Sequence, residues 1–287
     1  MTNRQDNYDE LDSGVSFHHQ VVMKRHLIKA ANGQSRIFGI ICCLTGLLSP
    51  AAASAGAACP SDPAMEILHL PHLRAAIAAR AEGLIVALGS SSTAGVMASD
   101  SAHSYPAVLQ AELNKALPTA HFAVINRGIG GQDAPEELAR LDTDAIAVHP
   151  QLVIWQVGAN GAMRNADPSE FHRMVEEGVN RMLKAGIDVV LMDNQRSPKL
   201  LAAVEHIILE DSLRHVARET GADIFSRSSL MDAWSEEGAK PGLFTASDGL
   251  HHNDLGYFCV TAVLARQIIA AVSASAVSTP LALSASR

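Results

Sequence analysis

From about Glu82 onward, short apolar runs alternate with stretches whose apolar residues recur every three or four positions. Gly83 to Leu88, Phe122 to Ile125, Leu152 to Val157, Val189 to Met192 and Ala222 to Phe225 read as strands. Their runs are continuous rather than alternating, which predicts burial on both faces of a sheet. Helical patterns lie between them. One opens at Ser104-Tyr105-Pro106 and sets Leu109, Leu113 and Leu117 on one face. Asp133-Ala134-Pro135-Glu136 and Asp167-Pro168-Ser169-Glu170 both look like helix starts. In each, the aspartate caps free N–H groups and the proline fits the first turn; in the second, the glutamate three places on reaches back. The second of these helices should bury Phe171, Met174, Val175, Gly178 and Met182 and stop at Gly186. Two more helices are expected over 204–220, ended by Gly221, and over 256–272. This alternation predicts a three-layer α/β/α sandwich around a five-stranded parallel sheet, with ligands bound beyond the carboxyl ends of the strands.

The N-terminal part has a different texture. Met1 to Val22 is polar and aperiodic; Met23 then opens a basic stretch with Lys24, Arg25, Lys29 and Arg36. The apolar run Ile37 to Leu48 follows, and then the small-residue segment from Pro50 to Ala57. Basic, apolar and A-x-A in that order are the layout of a secretory signal peptide, with cleavage after Ala55 or Ala57. A buried N-terminal helix is the plainer reading of the apolar run, but the Ala/Ser/Gly segment behind it fits cleavage better. The expected organisation is a polar extension over 1–22, a signal peptide over 23–57, one domain over 58–272 and a loose tail over 273–287. The mature protein would be periplasmic or secreted, with no stable membrane insertion. It would keep Cys59 and Cys259, which in an oxidising compartment either pair or remain two thiols. With 48% hydrophobic residues the chain can build a sizeable core, and a formal charge of −8 disfavours nucleic acid as a partner.

Candidate chemistry gathers in the loops after the first three strands. These are Gly89-Ser90-Ser91-Ser92-Thr93-Ala94-Gly95, Asn126-Arg127-Gly128-Ile129-Gly130-Gly131 and Gly158-Ala159-Asn160-Gly161. Each is rich in residues that turn sharply and present backbone N–H groups. A fourth segment, Asp248-Gly249-Leu250-His251, precedes the last helix. A serine that attacks a carbonyl needs a base, and donors for the oxyanion that forms. Asp248 and His251 are spaced so that one tight loop can set a carboxylate against one imidazole nitrogen and aim the other at a serine. The N–H groups of Ser91 and Gly131 and the amide of Asn160 are candidates for the oxyanion hole.

In order, these blocks resemble those of the SGNH, or GDSL-like, hydrolase superfamily. The G-D-S-x-T block corresponds to Gly89, Ser90, Ser91, Ser92 and Thr93, which implies Ser91 as nucleophile. N-x-G-x-x-G corresponds to Asn126, Gly128 and Gly131, G-x-N-D to Gly158 and Asn160, and D-x-x-H to Asp248 and His251. Three positions depart from the pattern: Ser90 and Gly161 stand where the family has aspartates, and His252 stands where it commonly has proline. The resemblance covers about Glu82 to Val272 and implies a flavodoxin-like strand order. It further implies a serine ester hydrolase with a small-molecule or glycan ester as substrate and no cofactor; with no long insertion to form a lid and only 4% aromatic residues, the expected substrates are small or short-chain acyl esters.

Other readings of the same residues are a carbohydrate O-acetyl esterase, an acyltransferase built on the same triad, and a non-catalytic binding protein. A phosphate loop lacks the Gly-Lys-Ser/Thr it needs. No metal is implied, because His103, His251, His252 and Asp254 read as solvated or packed side chains. Asp193 and Asn194 read as loop residues after the fourth strand, and Arg127 and Arg164 as solvated surface.

Overall fold

The computed structural model describes residues 58–274, so the polar extension, the signal peptide and residues 275–287 of the tail lie outside the described residues. The five strands are β1 (Gly83–Gly89), β2 (Phe122–Gly128), β3 (Leu152–Gln156), β4 (Asp188–Met192) and β5 (Asp223–Phe225). They form one parallel sheet in the order β2-β1-β3-β4-β5. The chain leaves β1 toward one edge and returns to place β3 on the other side of β1. This reversal opens a crevice at the carboxyl ends of β1 and β3, where such sheets bind ligands.

Side chains alternate between two cores. Ile85, Ala87, Ile154, Val190 and Met192 pack under the helices Tyr105–Ala116 and Asp254–Ser273. Val86, Leu88, Val153, Trp155 and Leu191 pack under Pro168–Lys184 and His206–Thr220. Asp133 and Asp167 cap their helices as expected. Phe171, Val175, Gly178 and Met182 are buried as expected, while Met174 is only partly covered. The helix Asp254–Ser273 has the length and apolarity of a membrane span, yet 67% of its apolar window is buried within the domain. Hydrophobicity on all sides is what a core helix requires.

Several boundaries differ from expectation. β2 continues to Gly128, because Asn126 and Arg127 pair with Ala87 and Leu88 through backbone alone and carry no apolar signal. The helix expected from 204 starts at His206, behind a separate turn Pro198–Leu201. The last helix starts two residues early, at Asp254, since Asn253 caps it by accepting the Gly256 N–H at 2.9 Å. The helices Pro71–Ala78 and Arg227–Glu236 were not anticipated. The first buries only Leu73; the second opens on Arg-Ser-Ser, which hides the short stripe Leu230, Met231 and Trp234 that it buries.

Cys59 and Cys259 form a disulfide across a sequence separation of 200. Closing so long a loop restricts the unfolded chain by roughly 5 kcal/mol on a chain-entropy view. It fastens the segment before Pro71 to the last helix, beside the Arg266–Asp62 ion pair and the Trp234 Nε1–H that donates to the Ser61 carbonyl.

Under the helix Ala134–Ala139, Glu137 is buried and accepts the Trp155 Nε1–H at 2.8 Å. Burial pushes its carboxyl up to about 8, against the pull of the Trp155 bond and the Arg140 charge. The folded state therefore prefers the proton more than the unfolded chain does. That contribution is full below the ordinary value of 4.5 and is lost as pH rises through about 8. Glu137→Gln, which keeps the acceptor and removes the charge, should gain in Tm over the parent as pH climbs through this window. Thermal melts at pH 5 and pH 8.5 check it, and an equal gap at both would refute it.

Candidate active site

β1 delivers its last residues into a tight assembly. Ser91 opens a short helix, Ser91–Ala94, directly after the strand. The end of β2 presses against it so closely that a Cβ on Gly128 would fall 2.1 Å from the Ala94 nitrogen, so only glycine fits there. Gln156, the last residue of β3, is fully buried and fastens the turn from below. Its Oε1 accepts the Ser90 N–H at 3.2 Å, the Ser90 hydroxyl at 3.3 Å and the Thr93 hydroxyl at 3.1 Å. Arg140 Nη2 and the Ile129 N–H both donate to the Gly89 carbonyl, at 2.9 and 3.0 Å. Ser90 and Ser92 are thereby buried, and Ser91 alone of the three is half-exposed.

The Ser91 hydroxyl lies 2.7 Å from His251 Nε2, and His251 Nδ1 lies 2.5 Å from Asp248 Oδ2. Since a carboxylate only accepts, Nδ1 carries the hydrogen and Nε2 is left to accept from Ser91. The other carboxylate oxygen, Oδ1, accepts the N–H groups of Leu250 and His251 at 2.9 and 3.0 Å. Burial works against the Asp248 charge, but the His251 ring and these two N–H groups outweigh it and hold the carboxyl below its ordinary value. The loop is tied down on several sides. The Ala246 N–H donates to the His251 carbonyl at 2.8 Å, the Lys199 N–H to that of Gly249 at 3.0 Å, and Gln195 Nε2 to that of Leu250 at 2.9 Å. The helix that follows grips the Ser91 loop, with the Tyr257 hydroxyl donating to the Val96 carbonyl and Asp254 accepting the Ser99 N–H, both at 2.8 Å. Residues 160 positions apart are thus held at hydrogen-bonding distance.

Candidate donors come from three loops. The Ser91 N–H belongs to the first turn of its helix, where no helical carbonyl can take it. The Gly130-Gly131 turn passes beside Ser91, with Gly131 at φ +81°. Asn160 opens the short helix Ala159–Met163 with Gly158 as its cap, and gives one amide hydrogen to the Gln132 carbonyl at 2.7 Å. That bond fixes the amide and leaves its second hydrogen for another acceptor.

Two of the departures from the family pattern have physical counterparts. At Ser90, backbone and hydroxyl are both held by Gln156. At Gly161, an added Cβ would stand 3.0 Å from Asp133 Oδ1, so a carboxylate from the neighbouring loop already fills that space. Burial raises the Asp133 carboxyl, and the N–H groups of Ala134 and Gly161 together with the Arg164 charge pull the other way.

Arg127 is exposed, as expected. Arg164 is exposed too, yet it is not merely solvated: its Nη2 donates to the Gly131 carbonyl at 2.7 Å. Asp193 and Asn194 are fully buried rather than surface loop residues. Asp193 accepts the hydroxyls of Ser226 and Ser228 and the Ser228 N–H, which joins β4 to the helix Arg227–Glu236. His103 bonds to Asp100, and among the described residues no three His, Cys, Asp or Glu side chains gather as metal ligands. The roles of Gln156, Arg140 and Gln195, and the place of the Asp133 carboxylate beside Gly161, escaped the sequence reading. For Gln156 a signal existed, since one polar side chain ends an otherwise apolar strand at the end where ligands bind.

Solved structures share this fold. A two-domain esterase active on acetylated mannans superposes with a TM-score of 0.61 at 24% identity, over 73% of this chain and 55% of that one. An acetylxylan esterase from Geobacillus stearothermophilus gives 0.55 at 18%, over 67% and 95%. The lipase/acylhydrolase from Enterococcus faecalis gives 0.54 at 23%, over 64% and 94%. The chain therefore spans about half the length of the mannan esterase. No curated protein matches the chain. A family model described as the non-GDSL lipase-like family matches residues 56–274. With most of its length so matched, the chain belongs to the non-GDSL lipase-like family.

Proposed function

We propose that this protein is a serine ester hydrolase working through an acyl-enzyme. The observation that carries the reading is the run Asp248–His251–Ser91 at 2.5 and 2.7 Å, set beside the Gly131 turn and the Asn160 amide. Ser91 Oγ attacks the ester carbonyl while His251 Nε2 takes its proton. The oxyanion is met by the N–H groups of Ser91 and Gly131 and the free Asn160 hydrogen. His251 then gives the proton to the leaving alcohol as the C–O bond breaks. A water molecule attacks the acyl-enzyme, losing its proton to His251, and the acid leaves as that proton returns to Ser91. Asp248 holds the histidine tautomer and stabilises the imidazolium.

The substrate we propose is a short acyl ester on a small alcohol or a glycan. One observation supports it. Two proteins of the same fold act on acetylated polysaccharides. We also propose that the protein is exported, to the periplasm or beyond, which the Cys59–Cys259 disulfide supports.

The test is acid release from nitrophenyl esters of rising chain length and from acetylated mannan and xylan. Preference for acetyl is expected, and no turnover on any of them would defeat the proposal. Asn160→Ala should lower kcat by about 10²–10³-fold with folding intact, since it removes a donor used mainly in the transition state. An effect confined to KM would assign Asn160 to ground-state binding.

A further inference from the structure

His252 follows the base in sequence but points into the interior, and burial together with the Arg227 charge lowers its pKa to about 3. The ring is therefore neutral. Its Nδ1 lies 3.1 Å from the Phe244 carbonyl. A carbonyl oxygen only accepts, so Nδ1 carries the single hydrogen and Nε2 presents a bare lone pair. That lone pair has no protein partner among the described residues. The Tyr105 hydroxyl, Arg227 Nη2 and the Thr261 hydroxyl are in the same condition. The Tyr105 hydroxyl faces Thr93, but not in hydrogen-bonding geometry. These side chains come from three helices and the loop after His251, have exposures of 1–3%, and line one interior space of about 10 Å³. Met192, Tyr257, Val260 and Leu264 complete its wall, and the Tyr257 hydroxyl is already spent on the Val96 carbonyl.

Burying polar atoms without partners is costly, because each gives up its hydrogen bonds to water. We infer that Tyr105, Arg227, His252 and Thr261 bind one water molecule in this space, and that the water ties Arg227 to His252 and so positions His251. The space matches about one water on the scale where ~10–15 Å³ is needed. The donor balance selects the occupant. It must donate to His252 Nε2 and accept from Arg227 Nη2, while the two hydroxyls serve either way. A halide cannot donate. A cation cannot accept, and would face a guanidinium. The Arg227 charge has its counterpart in Asp193, whose carbonyl also accepts the Arg227 Nε–H at 2.8 Å. The tie reaches the site through the backbone. His252 bridges to Thr245, and any shift of it moves the adjoining His251 ring, 2.7 Å from Ser91.

The binding half stands without hydrolysis; the positioning half rests on the proposed role of His251. The test pairs a crystal structure at about 1.2 Å or better, where waters are seen and hydrogens approach visibility, with the variants Thr261→Val and Tyr105→Phe. One water within hydrogen-bonding distance of the named atoms is expected. A dry space, or an anomalous bromide peak there after a bromide soak, overturns the binding. For positioning, the downfield proton on His251 Nδ1 is followed by NMR, which reads the site whether or not an ester is turned over. Loss of the water in either variant should shift or broaden it and lower kcat by about tenfold at unchanged KM, within the ~10²-fold that a misplaced group can cost. An unchanged resonance and kcat in a variant shown to lack the water overturns the positioning. A parent protein that turns over no ester, but keeps the water and the resonance, counts against the hydrolase reading alone.

Discussion

Ser91→Ala is expected to abolish ester turnover and covalent labelling by a serine-directed phosphonate, leaving only what binding and the oxyanion donors supply, about 10³–10⁴ over water. Three adjacent serines make the choice a real one. Ser90 and Ser92 are buried, and Ser90 spends both its N–H and its hydroxyl on Gln156. Ser91 is half-exposed and faces His251 Nε2 at 2.7 Å. The alanine removes one oxygen from the surface side of the turn and none of the Gln156 bonds, so the fold should survive unchanged. Ser90→Ala and Ser92→Ala should still label at Ser91. Ser90→Ala should turn over more slowly, because one of the three bonds that brace the nucleophile turn is gone. A phosphonate found on Ser90 or Ser92 in the labelled peptide would overthrow the assignment. Labelling of no serine, with no ester turned over, would favour a binding protein on this fold.

What could be read from the chain follows the length scale of the interactions. The strands were legible because burial on both faces leaves an unbroken apolar run, and Asp133 and Asp167 announced their helices by local capping. β2 past Ile125 was not legible, since its pairing uses backbone that any side chain provides. The blocks holding Ser91, Gly131 and Asn160 were legible at strand ends, and the block holding Asp248 and His251 just before the last helix. Their support was not. Gln156 reaches the nucleophile turn from a sheet neighbour 66 positions from Ser90, and Arg140 reaches Gly89 from 51 positions away. The missing aspartate at 161 looked like a loss in one dimension. In three, Asp133 brings a carboxylate to the same place. The disulfide was open for the same reason, since nothing local says that Cys59 returns to Cys259.

Asp248→Asn should lower kcat by about 10⁴-fold while leaving the fold in place. The local geometry gives the reason. Asp248 Oδ1 accepts two backbone N–H groups, from Leu250 and His251. An asparagine would keep its carbonyl oxygen on that side, because turning the amide over would face its NH₂ with two donors. The NH₂ then takes the place of Oδ2, 2.5 Å from His251 Nδ1 in the parent. Two donors cannot share that contact, so the imidazole hydrogen moves to Nε2 and Nδ1 becomes the acceptor. His251 then presents an N–H to Ser91 instead of a lone pair, and no base remains where the hydroxyl proton must go. Asp248→Ala should be less clean, because the two loop N–H groups lose their acceptor and the loop itself loosens. The measurements are kcat on the preferred ester, the rate of phosphonate labelling, and the Tm of each variant. An Asp248→Asn protein within tenfold of the parent in kcat would remove Asp248 from the machinery and leave it a loop-bracing residue only.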